Sequence, residues 1–75
     1  MAQFGVVLFY TTSAVMRAEK MLKKSGYAVK LVPTPREFSS DCGIALRFDW
    51  DRRDQVHAVL EEAKVEFSAI HQLGA

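Results

Sequence analysis

The sequence predicts an α+β fold in which two helices lie on one face of an antiparallel sheet. Three observations lead there. Apolar and amphipathic segments follow one another in the order β-α-β-β-α-β. Two segments carry an apolar stripe at helical spacing with charge on the opposite side. "GIALRFDW" alternates without a break, Ile44, Leu46, Phe48 and Trp50 to one side, Ala45, Arg47 and Asp49 to the other. That is a strand with one buried face and one wetter face. Such a strand does not suit a sheet covered by helices on both sides. Both helices are therefore expected on the same face, as in an open-faced sandwich of the ferredoxin-like type.

Each element has its own signals. "FGVVLFY" (Phe4 to Tyr10) is apolar on both faces, as a central strand is. Thr11, Thr12 and Ser13 are N-cap candidates for the next segment, "AVMRAEKMLKKSG". Its apolar face is Val15, Ala18, Met21, Leu22 and Ser25; Arg17, Glu19, Lys20, Lys23 and Lys24 face water. Gly26 is a natural residue just past the helix end. "YAVKLVP" is the second strand, closed by Pro33 and Pro35, whose ring nitrogens cannot donate to a ladder. Thr34 to Gly43 form a loop longer than a tight hairpin, and the alternating third strand follows. Asp51 is expected to cap the second helix, "RRDQVHAVLEEAK", with Val56, Val59, Leu60 and Ala63 as its stripe. "VEFSAIHQL" is the last strand.

The bulk numbers bound the function. With 75 residues, the chain is expected to be a single domain, 1–75, and 49% hydrophobic residues are ample for its core. A net charge of +1 gives no long-range attraction to nucleic acid or anionic membrane. No apolar run reaches the roughly 20 residues needed to cross a bilayer. The N-terminus lacks a basic stretch ahead of its short apolar run, so that run reads as a strand and not a signal peptide. The single cysteine cannot form a disulfide within the chain, which points to a reducing, cytoplasmic setting.

That cysteine, Cys42, lies in the loop "VPTPREFSSDCG". A redox pair needs a second cysteine, and structural zinc needs about four ligands. Cys42, His57 and His71 sit on different elements without paired spacing, so no metal is expected. RNA recognition on this fold order needs a basic residue before the glycine and aromatics on the sheet; Cys42, Ile44 and Leu46 stand there instead. A lone thiol used as nucleophile or carrier remains, beside the bland alternative of a small packed residue. Arg36 is the nearest cation in sequence to favour a thiolate, and Ser39, Ser40 and the Gly43 amide are candidate donors to an anionic sulfur. Asp41 works the other way, since a neighbouring carboxylate raises a thiol pKa.

"LVPTPREFSSDCGIALRF", with the opening strand and "TTSAVMRAEKMLKKSG", resembles a family of short bacterial proteins described as selenium/sulfur carrier-like. The most specific part is "PTPREFSSDCG", where Pro35, Arg36, Glu37, Ser39, Ser40, Cys42 and Gly43 match the pattern. Asp41 departs from it, standing where a small or polar residue is expected. Family members also occur fused to a persulfide-carrier domain in proteins linked to selenium metabolism. The resemblance implies that Cys42 carries sulfur or selenium between donor and acceptor proteins, with no bound cofactor. The alternative is a non-catalytic protein-binding or dimerisation module with a structural cysteine, using sheet-face positions such as Arg47. A turnover enzyme is the least favoured reading, because no general base stands near the thiol in sequence and a chain this short has little room for a closed pocket.

Overall fold

The computed structural model describes residues 3–38 and 43–73. Its elements are β1 (Phe4–Leu8), α1 (Thr12–Lys24), β2 (Val29–Pro33), β3 (Ile44–Asp49), a single 3-10 turn (Trp50–Arg52), α2 (Arg53–Glu62) and β4 (Ala69–Gln72). The four strands form one sheet in the order β2-β3-β1-β4. Every neighbouring pair is antiparallel. This is the α+β, ferredoxin-like arrangement, and β1 is central, as its two apolar faces require.

The pleat divides the sheet into two faces. Val7, Leu46 and Phe48 point inward and join Val15, Ala18 and Leu22 of α1 and Val56 and Leu60 of α2 in the main core. Both helices thus cover the same face. Gly5 also faces this way, and its bareness is used: a Cβ there would come within 2.5 Å of the Trp50 ring and 2.8 Å of the Phe48 ring. The absent side chain lets the indole lie against β1.

Several boundaries differ from the sequence reading. Strand pairing of β1 stops at Leu8; Phe9 is still fully buried, whereas Tyr10 is exposed. Trp50 does not extend β3. It opens the 3-10 turn, donates its backbone N–H to the Gln3 carbonyl at 2.9 Å, and stacks on Phe48 with ring centroids 6.0 Å apart. It still closes the core, as expected. Asp51 does not cap α2. It lies inside the 3-10 turn, and the N-cap position of α2 is Arg52, with no side-chain capping bond. Ser25 is not on the apolar face of α1; it is the exposed C-cap.

The helix ends follow capping chemistry. Thr11 is the N-cap of α1, its hydroxyl accepting from the Ala14 N–H at 3.1 Å. At the other end Gly26 takes a φ of +90°, and the Tyr27 N–H reaches the Leu22 carbonyl at 3.0 Å. This closes the helix in a Schellman motif. α2 ends in the same way without a glycine. Lys64 takes a φ of 57°, and the Val65 N–H donates to the Leu60 carbonyl at 2.9 Å. The last turn of α2 holds no basic residue of its own. Arg17 of α1 supplies one, its guanidinium donating to the Ala63 carbonyl at 3.2 Å.

Candidate functional site

The loop between β2 and β3 grows out of a closed ladder. Pro33 opposes Ile44, and one step further the Thr34 N–H donates to the Gly43 carbonyl at 3.0 Å. The loop runs from residue 35 to residue 42, of which 35–38 are described. Its first half is a turn: the Phe38 N–H donates to the Pro35 carbonyl at 3.0 Å, with Arg36 and Glu37 at the central positions. Proline suits the entry to such a segment because its φ is already fixed.

The turn sends Phe38 back across the sheet. Its ring stacks on the imidazole of His71 in β4, with centroids 4.2 Å apart and planes 6° from parallel. Beneath the pair, Val6, Leu8 and Ala45 form a second, smaller apolar cluster, bordered by Val32, Phe38, Ala69 and Leu73. Val6 and Ala45 are fully buried although no helix covers this side. The outer face is thus dry near the loop. The alternation of β3 gave one buried and one wetter face; the wet part begins only at Arg47.

The predicted site residues fall into two groups. Arg36 and Gly43 are described and exposed. Arg36 has no carboxylate within 4.0 Å among the described residues. A Cβ at Gly43 would meet nothing within 4 Å, so no close approach requires glycine there. Ser39, Ser40, Asp41 and Cys42 lie outside the described residues.

Of the two residues that meet at the loop, Phe38 is not singled out by the sequence, and His71 is weighed there only as a metal ligand and set aside. Phe38 is the lone large apolar residue in a polar stretch, which was the available signal. His71 reads alone as a boundary residue in the last strand. Only the sheet order places it on the outer face, under the loop. His57 is exposed, its Nε2 3.3 Å from the Glu61 carboxylate and its ring edge-on to Phe67 at 5.5 Å.

Residues 4–72 match the protein family described as "Putative Se/S carrier protein-like". The chain belongs to this Se/S carrier-like family. The match runs from the first residue of β1 to the last of β4 and so spans every element of the fold. No curated protein and no solved structure matches the chain. No helix among the described residues is long and apolar enough to cross a membrane.

Proposed function

We propose that this Se/S carrier-like protein carries sulfur or selenium as a persulfide or perselenide on Cys42. On this reading the Cys42 thiolate attacks the outer chalcogen atom of a donor persulfide or perselenide. A bond forms from Cys42 to that atom, the bond from it to the donor sulfur breaks, and the donor leaves as a thiolate. No net oxidant is consumed, because the chalcogen–chalcogen bond is exchanged and not created. An acceptor thiolate then repeats the exchange. One thiol cannot resolve its own persulfide, so donor and acceptor are separate macromolecules in the cytoplasm, and the protein is a carrier and not a turnover enzyme.

The observation that supports this reading best is the family match across all six main elements. The loop adds to it. Its base is held by the Thr34–Gly43 bond, and Phe38 is held against the sheet by the His71 stack. The exposed Arg36 is suited to stabilise the anionic carrier, with Ser39, Ser40 and the Gly43 amide as donors to it. Incubation with a cysteine desulfurase and L-cysteine tests the proposal. Intact-protein mass is expected to rise by one sulfur, reversibly on reduction, and not at all in Cys42→Ser. Equal mass gain in both proteins would overturn it.

A further inference from the structure

One row across the outer face of the sheet reads His71, Val6, Arg47, Lys30, each residue directly opposite the next. The row begins under Phe38 and ends at the free edge, a span of about 14 Å at the usual strand spacing. Arg47 and Lys30 are like charges opposed on neighbouring strands, an arrangement that costs stability. No described carboxylate lies within 4.0 Å of either cation, although Asp49 lines the same depression. Among the described residues the carboxylates within 4.0 Å of a side-chain ammonium, guanidinium or imidazole nitrogen are Glu19 with Lys23 and Glu61 with His57, both pairs on helices. Arg47 is held by another means: its guanidinium lies over the Phe4 ring, 4.4 Å from the centroid. A stacked guanidinium keeps its in-plane N–H donors free for a carboxylate fork. Lys30 on an edge strand deters edge-to-edge pairing, but that role needs no arginine opposite it.

We propose that the Lys30–Arg47 pair is the docking site for an acidic segment of the protein that delivers or receives the chalcogen atom. The proposal rests on the carrier reading of Cys42 and names the chemistry of its partner. The pair shares the outer face with the Phe38 end of the loop, so a macromolecule approaching the loop from that side meets both cations. An acidic protein fits better than RNA. The net charge is only +1, and one face of each nearby ring is already taken, Phe4 by Arg47 and Phe38 by His71. RNA binding on a sheet needs open ring faces and a basic track. The depression beside the pair, lined by Phe4, Lys30, Arg47 and Asp49, measures about 120 Å³.

The test titrates a fluorescent oligoglutamate peptide, and an oligouridine of equal length, against the wild type, K30E/R47E, K30Q/R47Q and the α1 control K20E/K24E. Circular dichroism verifies that each variant is folded. The wild type is expected to bind the peptide with an affinity that falls as salt rises. K30E/R47E should lose about tenfold or more, K30Q/R47Q an intermediate amount, and K20E/K24E less than about twofold. Equal binding by K30E/R47E and the wild type, an equal loss in the α1 control, or tighter binding of the oligouridine would overturn the proposal. Loading Cys42 from a small polysulfide separates this failure from failure of the carrier reading. All folded variants should load alike; absence of loading even in the wild type would count against the carrier and leave the peptide titration to decide the docking site.

Discussion

The ring of Phe38 lies flat on the imidazole of His71, 4.2 Å between centroids, and so ties the β2–β3 loop to the far strand of the sheet. Loop and sheet are thereby coupled through two side chains distant in sequence. Phe38→Ala should lower the stability to urea unfolding by about 1–3 kcal/mol, through lost apolar burial and the lost ring contact. A double-mutant cycle with Phe38→Leu and His71→Gln should return a coupling of about 0.5–1.5 kcal/mol. Additive effects would show that the stack contributes nothing of its own.

Gly5 is needed because Trp50 occupies the space of its side chain. Gly5→Ala should therefore destabilise by about 1–3 kcal/mol, the usual cost of overpacking. Trp50 fluorescence should shift to the red as the indole is pushed outward. An unchanged emission spectrum would mean that the ring accommodates a methyl group without moving.

The two helix ends predict opposite signs for glycine and alanine. Lys64 holds a left-handed backbone at a position where glycine is at ease, so Lys64→Gly should stabilise by about 1 kcal/mol. Gly26→Ala should destabilise by a similar amount, since the φ of +90° disfavours any Cβ. Thermal unfolding of both variants checks the pair. A loss of stability in Lys64→Gly would contradict the capping account.

Arg17 serves the C-terminus of a helix other than its own. Arg17→Gln should cost about 0.5 kcal/mol at low salt, and less as salt is added, because an exposed cation at a helix end is screened. A difference that does not change with salt would assign the loss to packing of the arginine stem.

The fold was legible because its signals are local. The alternation of β3, the apolar run of β1 and the stripe of α1 each define an element and the face it buries. The errors came where tertiary contacts override local pattern. Trp50 continues the β3 alternation in sequence, but its pull toward bare Gly5 turns the chain into a 3-10 turn and carries Asp51 with it. The end of α2 was obscured because lysine, not glycine, takes the left-handed position. At the candidate site, the loop and Arg36 could be read from composition and resemblance. The contribution of His71 could not, because it depends on β4 pairing with β1 and on a turn that brings Phe38 over it.

The most direct measurement of the central claim is transfer of label from radioactive L-cysteine, through a cysteine desulfurase, to the purified protein. About one sulfur per chain, released by dithiothreitol and absent from Cys42→Ser, is the predicted result. Label bound equally by Cys42→Ser, or no label on the wild type while the desulfurase turns over, would contradict it.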